Sequence, residues 1–149
     1  MDQSVYSVQY QLGPEWGTQV MELYAHEWWS KDRNIEETHT VMYNSTLTIG
    51  IIERSTNTLV AFSRCITDRI FKAIIFDVIV RPSHRGKDLG DLVIQKLITH
   101  PLLTEVQHIE LYCKTDKIDF YKQFGFKELD ADMQYMRLTT VKKSTTYNP

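Results

Sequence analysis

One segment of the chain combines glycines, cations and a change of hydrophobic period in the way that phosphate sites do. It runs from Val78 to Gly90 and reads Val-Ile-Val-Arg-Pro-Ser-His-Arg-Gly-Lys-Asp-Leu-Gly. An apolar strand ends at Pro82, and a helical period is established from Leu89 onward. A helix N-terminus presents unpaired backbone N–H groups and a partial positive charge. The segment therefore predicts an anion site, with an ordinary strand-to-helix turn as the alternative.

The composition of this loop adds to the prediction. Gly86 and Gly90 stand four residues apart, and Arg85 and Lys87 add positive charge between the strand and the helix. Glycine allows a phosphate to approach the backbone closely. The loop has neither the Gly-Lys-Ser/Thr ending of a nucleoside-triphosphate loop nor the three-glycine spacing of a dinucleotide loop. We expect the anion site at the start of a helix that begins near Lys87.

A carboxylate interrupts the apolar run just before this loop. Asp77 lies within the predicted strand Phe71–Val80, whose nearly continuous apolar side chains indicate a central strand buried on both faces. Perturbed carboxylates gather at active sites, so Asp77 could deprotonate or orient a substrate. A structural, hydrogen-bonded Asp is the alternative, because the register near an expected bulge does not follow from the sequence.

The remaining pattern predicts a mixed sheet with helices on both faces, in a single domain over residues 1–141 and a polar tail over 142–149. The predicted helices are a stretch opening at Pro14, Asn34–Asn44, the helix after the glycine loop, and Asp116–Phe124. The predicted strands are Val5–Leu12, Leu47–Glu53, Leu59–Thr67, Phe71–Val80, Ile109–Cys113, Phe126–Leu129 and Met133–Leu138.

Composition narrows the class of protein. The chain has 149 residues, 42% of them apolar, which suits one domain with a real core, and its net charge of -2 gives no general attraction to nucleic acid or to anionic membranes. No apolar run is long enough to span a bilayer, and the polar first ten residues lack a signal-peptide pattern, so we expect a cytoplasmic protein. Cys65 and Cys113 are expected to be buried, inert thiols, and no Cys or His spacing predicts a metal site.

Two motifs carry a resemblance to a known family. Val80-Arg81-Pro82 followed by Arg85, Gly86 and Gly90 is similar to the GNAT signature of Arg or Gln, two residues, Gly, one residue, and Gly or Ala. Asp88 stands where that signature has its middle glycine. Downstream, the segment from Asp119 to Phe126 resembles the family's late Phe-Tyr-x-x-x-Gly-Phe motif. With the matching order of elements, the chain is identified as resembling the GNAT superfamily of acyl-CoA-dependent N-acyltransferases.

The resemblance implies a fold and a cosubstrate. The fold would be a single-domain, GNAT-type α/β structure with a mixed, mostly antiparallel sheet, in which the central strand splays from its neighbour to hold the pantetheine arm of acetyl-CoA. No metal is implied. The resemblance assigns cofactor binding to backbone of the strand end and amides of the loop, namely Val78, Ile79, Val80, Arg85, Gly86, Lys87, Asp88, Leu89 and Gly90.

The resemblance also implies catalytic roles. Tyr121 matches the tyrosine that protonates the departing CoA thiolate, and a phenol with a pKa near 10 suits that task. Packing as a core aromatic is the alternative. The acceptor amine would attack the thioester directly. Lys114 stands where many relatives have an Asn, so no role is assigned to it.

An acceptor pocket is expected between the first two helices, where relatives build theirs. Trp28, Trp29 and Arg33 are the predicted substrate-binding residues there, beside His26 and Glu27. Adjacent tryptophans do not both face one core easily, so one could line a pocket, and simple packing is the alternative. Asp88 could weaken phosphate binding, or contribute only its amide while its side chain faces solvent, since Asp tolerates unusual backbone angles.

These observations predict an enzyme, an acetyl-CoA-dependent N-acetyltransferase acting on a primary amine of a small molecule or peptide. A homodimer is one possible assembly, and no nucleic-acid or membrane partner is expected. Two rival hypotheses remain. One is a non-catalytic acyl-CoA-binding regulatory module, supported by Asp88 and by Lys114 at the Asn position. The other is a protein-interface subunit.

Overall fold

The computed structural model describes residues 4–141, which form two compact units that meet in the chain between Leu111 and Tyr112. In the first unit a five-stranded sheet and three helices follow in the order β1 (Tyr6–Tyr10), α1 (Gly17–Ala25), α2 (Ile35–Asn44), β2 (Leu47–Glu53), β3 (Thr58–Thr67), β4 (Lys72–Val80), α3 (Leu89–Ile98) and β5 (His108–Glu110). The second unit contains α4 (Ile118–Lys122). Short 3-10 helices cover Pro14–Trp16, Pro82–His84 and Thr115–Lys117.

The strands lie in the sheet in their chain order, β1-β2-β3-β4-β5. Neighbours from β1 to β4 are antiparallel, and β4 and β5 are parallel. A parallel pair requires a crossover, and α3 provides it. The mixed, mostly antiparallel sheet predicted from the sequence is therefore confirmed.

Helices cover both faces of this sheet. The buried cluster around α1 and α2 includes Phe62 and Ile79 from one face. Helix α3 contacts β2, β3 and β4, and its buried Val93 and Leu97 lie outside that cluster. Since both faces of β2 are covered, its first six residues are all buried.

The prediction that β4 is buried on both faces is wrong. Ala73, Ile75 and Ile79 are buried, whereas the residues between them are half-buried. The β4–β5 ladder contains only three residue pairs, the last of them Ile74 with Glu110. The second half of β4 therefore has β3 on one side and no paired partner from β5 on the other.

Local sequence signals explain where two of the helices begin. Helix α2 begins after Asn34, whose side chain accepts a hydrogen bond from the Glu37 N–H at 2.8 Å, while the Glu37 carboxylate accepts from the Asn34 N–H at 3.3 Å. This reciprocal capping box satisfies two of the orphan donors of a helix N-terminus. Helix α3 begins at Leu89 rather than near Lys87, because Asp88 has a left-handed φ of 59° that a right-handed helix cannot contain.

The second unit differs from the prediction in two respects. Residues 126–129 and 133–138 form no strands in the described part of the chain, although both segments were predicted to close the sheet. A strand requires a partner ladder, and the described residues provide none for these segments. Cys113 is exposed, not buried, because β5 ends three residues before it, at Glu110, whereas Cys65 in β3 is buried as expected.

Two predictions are not tested. The predicted tail, 142–149, lies outside the described residues, and the single-domain boundary at residue 141 stays a prediction. Among residues 4–141, no helix is long and apolar enough to cross a membrane.

Candidate active site

A β-bulge interrupts β4 beside the predicted loop. In the β3–β4 ladder Phe62 pairs with Ile79 and Arg64 pairs with Phe76, so Ser63 faces two residues, Asp77 and Val78. Asp77 has a φ of 59°, and the Ser63 hydroxyl donates to the Phe76 carbonyl at 2.7 Å. The bulge expected near Asp77 is present, and it turns the Asp77 side chain away from simple alternation.

The Asp77 carboxylate accepts three side-chain hydrogen bonds on one oxygen. Its Oδ2 accepts from the Tyr24 hydroxyl at 2.7 Å, from Arg64 Nε at 2.6 Å and from Arg33 Nη1 at 3.3 Å. The Asp77 side chain is only 6% exposed. Buried carboxylates need such partners, so this geometry favours the structural alternative for Asp77, while its catalytic role stays a prediction.

Tyr24 occupies the interior end of this network. Burial first, and then the Asp77 charge and hydrogen bond, raise the pKa of Tyr24 far above its usual value. The hydroxyl therefore stays protonated and donates to Asp77. The Arg33 guanidinium lies 4.3 Å from the centre of the Tyr24 ring and 5.3 Å from that of Trp29. The loop between α1 and α2 thus brings Arg33 and Trp29 to the bulge in β4.

The two adjacent tryptophans have different environments. Trp29 is partly buried against the core cluster and meets Tyr24 edge-on, with ring centroids 6.1 Å apart. Trp28 is 49% exposed. One tryptophan packs and the other reaches solvent, as the adjacent pair suggested, and substrate binding by either stays a prediction.

The loop from β4 to α3 uses two left-handed residues to reach the helix. Gly86 has a φ of 77°, and a Cβ added there would meet nothing within 4 Å. Asp88 follows with a φ of 59° as the N-cap residue of α3, and no side chain caps this helix. The N–H groups of the first turn, those of Leu89, Gly90 and Asp91, have no partner within an α-helix. They are suited to an external anion.

Ion pairs anchor the basic residues around this loop. Arg85 Nη2 lies 3.3 Å from the Glu27 carboxylate, and Arg81 Nη2 lies 3.2 Å from that of Glu22. His84 Nε2 lies 2.8 Å from the Glu53 carboxylate at the end of β2. His84 therefore ties the loop to the sheet. Lys87 is exposed.

Tyr121 lies in α4 of the second unit. Its ring contacts Phe120 and Phe126 edge-on, with centroids 4.9 and 6.0 Å away. Burial, with a smaller effect from Cys113, raises the pKa of Tyr121 to about 12. Gly125, with a φ of 96°, follows α4 as a left-handed residue, and its N–H donates to the Lys122 carbonyl. Tyr121 thus combines aromatic packing with a hydroxyl that remains protonated at neutral pH.

Sequence reasoning did not identify Tyr24 and Arg64 as parts of the site. Tyr24 also belongs to the buried cluster around α1 and α2. Arg64 is a cation in a mostly apolar strand, and that mismatch was the available signal. In the described part of the chain, no group of three or more His, Cys, Asp or Glu side chains could hold a metal ion, and the predicted absence of a metal stays a prediction.

Comparisons with known proteins give a consistent result. The family model described as the acetyltransferase (GNAT) family matches residues 8–126. The chain is 34% identical over 100 residues to an uncharacterized N-acetyltransferase, ycf52, of Pyropia yezoensis, covering 66% of this chain and 57% of that protein. It is 37% identical over 73 residues to a chloroplastic serotonin N-acetyltransferase 2 of Oryza sativa subsp. japonica, covering 49% of this chain and 36% of that protein.

Among solved structures, a putative acetyltransferase of the same family from Xanthomonas campestris pv. campestris matches with a TM-score of 0.74 at 23% identity, covering 90% of this chain and 94% of that one. This match shows a shared fold. The match spans 57% of the length of the Pyropia relative and 36% of the length of the rice relative.

Proposed function

Because the chain belongs to the acetyltransferase (GNAT) family, we propose that it transfers the acetyl group of acetyl-CoA to a primary amine of a small molecule or peptide. The family uses acetyl-CoA as cosubstrate. The amine nitrogen attacks the thioester carbonyl, the carbon–sulfur bond breaks, and CoA leaves as a thiolate that takes up a proton. No covalent intermediate on the protein is needed.

The observation that carries the proposal is the open edge of β4. The β4–β5 ladder stops at Ile74, so within residues 4–141 the backbone of Val78, Ile79 and Val80 pairs with no strand on that side. The pantetheine arm of acetyl-CoA is an extended chain with two amide groups, and it can pair with such an edge as a strand would. The bulge at Asp77 redirects β4 at the same place.

The loop that follows β4 suits the pyrophosphate. The uncapped first turn of α3 offers the N–H groups of Leu89, Gly90 and Asp91. Gly86 leaves open space beside the backbone, and Lys87 supplies an exposed positive charge. The adenine-nucleotide end of the cosubstrate would therefore bind immediately beyond the strand edge that binds pantetheine, because the loop directly follows β4.

The proposal also assigns roles to two side chains. Tyr121 donates the proton to the CoA thiolate from a neutral hydroxyl. Asp77 serves as a positioning residue for Arg33, because the three donors on its carboxylate oppose free exchange of a proton with the amine. A substrate amine would then lose its proton to water or to another base.

Calorimetric titration with acetyl-CoA, followed by a thiol-release assay over a panel of amines and peptides, tests this function. We expect binding and turnover. Binding without turnover of any acceptor would favour the regulatory module, and absence of binding would favour the protein-interface hypothesis. The cytoplasmic location and the homodimer remain predictions, and both Arabidopsis and rice relatives carry chloroplastic names.

Replacement of Gly90 by valine is expected to weaken acetyl-CoA binding at least about tenfold, the effect of losing one charge-assisted hydrogen bond. A branched side chain in the first turn of α3 would block the approach of a phosphate to the helix amides. Titration calorimetry measures the change. Gln95→Val, at an exposed position of the same helix, is the matched control and should bind normally. Unchanged affinity in folded Gly90→Val would contradict a phosphate site at this turn.

Replacement of Asp88 by glycine is expected to leave acetyl-CoA affinity equal or to raise it about two- to fivefold. The reason is that the carboxylate repels a bound anion, at a free-energy cost of about 0.3–1 kcal/mol. Glycine adopts the left-handed φ of 59° readily. Asp88→Asn separates the effect of charge from the effect of backbone freedom, since asparagine removes the charge and also tolerates this backbone region. A large loss of affinity in both variants would show that the carboxylate has a positive role in the loop.

A further inference from the structure

The side chains that meet at the β4 bulge carry unequal charge. Arg33 and Arg64 each contribute a positive guanidinium, and Asp77 contributes one carboxylate. Tyr24 stays neutral, and the charges that act on its hydroxyl are those of the same three residues. This cluster, defined by Tyr24, Arg33, Arg64 and Asp77, therefore has one positive charge in excess.

Most of the cluster that carries the excess charge is shielded from water. The side chains of Asp77 and Arg64 are 6% and 12% exposed. An ion held away from water without a partner is costly, whereas a second ion of opposite sign offsets much of that cost. A cluster with this composition is consequently stabilised by an anion that enters from solvent.

The distances identify Arg33 as the residue with charge available. Arg64 Nε is 2.6 Å from Asp77 Oδ2, a short charge-assisted contact, whereas Arg33 Nη1 is 3.3 Å from the same oxygen. Asp77 is thus compensated mainly by Arg64. Arg33, whose side chain is 27% exposed, is the member of the cluster that reaches solvent.

The chemistry of Arg33 suits recognition of a planar or tetrahedral oxyanion. Its guanidinium carbon lies 4.3 Å from the centre of the Tyr24 ring and 5.3 Å from that of Trp29, within the range of cation–π attraction. A guanidinium has five N–H donors along its edges and binds carboxylate or phosphate with two parallel hydrogen bonds. Arg33 Nη1 donates to Asp77, and the other N–H groups are the proposed binding elements.

We propose that the acceptor amine carries an oxyanionic group, a carboxylate or a phosphate, and that Arg33 binds this group beside the β4 bulge. The proposal rests on the proposed acetyl transfer, because it assigns the anion site to the acceptor. Arg64 and Asp77 act as positioning residues that keep the Arg33 charge available. The site therefore selects small acceptors by charge as well as by the presence of an amine.

Matched pairs of acceptors test the proposal by binding, independently of turnover. The pairs are β-alanine with its amide and glucosamine 6-phosphate with glucosamine, so that one pair reports on carboxylate and the other on phosphate. Each compound is titrated calorimetrically into the protein saturated with CoA. We expect the anionic member of at least one pair to bind at least about tenfold more tightly than its neutral partner. Equal affinity within both pairs, or no detectable binding by any member, would overturn the proposal.

Variants test whether Arg33 causes the preference for the compound that carries the oxyanion. Arg33→Gln is expected to abolish it, and Arg33→Lys, which keeps a charge but not the planar fork, is expected to lower it less. Lys31→Gln makes the same change of charge on the exposed neighbouring loop and should retain the full preference. A preference that survives in folded Arg33→Gln, or an equal loss in the glutamine and lysine variants, would contradict a charge-based role.

The acetyl-transfer assay on the same compounds separates this proposal from the proposed function. Turnover of the anionic members with a lower KM than their neutral partners would support both. Preferential binding of the anionic members without acetyl transfer to any of them would contradict the acetyltransferase proposal and support the anion site as a binding site. Efficient turnover of the neutral members with no loss in Arg33→Gln would contradict the anion site alone.

Discussion

Replacement of Tyr121 by phenylalanine is expected to lower turnover about 10²–10⁴-fold, the usual contribution of a positioned general acid, and to leave acetyl-CoA affinity nearly unchanged. The substitution removes one oxygen and keeps the ring, so the edge-on contacts with Phe120 and Phe126 persist. Expulsion of a thiolate into a site with little water is unfavourable, and a proton donor within reach lowers that barrier. The loss should therefore lie in kcat and not in cosubstrate binding.

The protonation state of Tyr121 adds a pH test. Burial raises its pKa to about 12, so the neutral, proton-donating form is present at all pH values well below that. Ionisation of Tyr121 should consequently produce no loss of activity between neutral pH and about pH 10, two units below the pKa. Rates of thiol release over this range, in the parent and in Tyr121→Phe, measure both expectations.

Tyr135→Phe is a suitable control, because it removes a hydroxyl from an exposed tyrosine of the same unit. It should retain the activity of the parent. If Tyr121→Phe also stayed within a few-fold of the parent with a good acceptor, Tyr121 would be a packing residue, and water or another group would supply the proton.

Replacement of Asp77 by asparagine is expected to destabilise the protein by about 3–5 kcal/mol, the cost of removing one partner from a buried ion pair. The variant leaves Arg64 and Arg33 without their shared carboxylate, and asparagine retains nearly the same volume. Asparagine also tolerates a left-handed backbone, so the φ of 59° at this position adds little strain. The measured effect then reports on charge and not on the bulge.

Urea unfolding followed by tryptophan fluorescence gives the free energy of unfolding. Asp32→Asn changes an exposed Asp of the first unit and should alter stability by less than about 0.5 kcal/mol. The same experiment separates the two roles considered for Asp77. A stable Asp77→Asn protein that binds acetyl-CoA but has lost turnover would contradict the structural role and favour direct participation in proton transfer.

Patterns within a few residues predicted much of the fold. The predicted strand over Leu47–Glu53 coincides with β2, and the predicted helix Asn34–Asn44 agrees with α2 to within one residue at its start. The loop between β4 and α3 was identified in the same way, since its glycines, cations and change of period all lie within 13 residues of one another. Such signals are readable because the interactions that create them are local.

The network at Asp77 could not be predicted, because its members meet through the tertiary fold. Tyr24 and Arg33 lie 53 and 44 residues before Asp77, and Arg64 lies 13 residues before it. Their convergence depends on a one-residue change of register in the β3–β4 ladder, and such a shift reverses which side of a strand a residue faces. Strict alternation therefore predicts neither the direction of the Asp77 side chain nor the residues that it contacts.

The closing strands and Cys113 show a second limit. The strands predicted over 126–129 and 133–138 do not form, because apolar composition does not show whether a partner strand is available. Cys113 was expected to be a buried thiol in the strand Ile109–Cys113, and β5 ends at Glu110 instead. In both cases the missing information concerned pairing with a neighbouring strand.

The main-chain character of the loop between β4 and α3 has a consequence for mutational tolerance. The groups that it offers to an anion are backbone amides, and their positions depend on φ and ψ, above all on the left-handed angles of Gly86 and Asp88. Side chains at such positions are limited by the backbone region that they permit, more than by their charge or size. Aspartate, which tolerates a left-handed φ, can therefore stand at position 88 in place of glycine without changing the course of the backbone. In a scan of all substitutions over this loop, we expect tolerance to follow backbone preference more closely than charge or size.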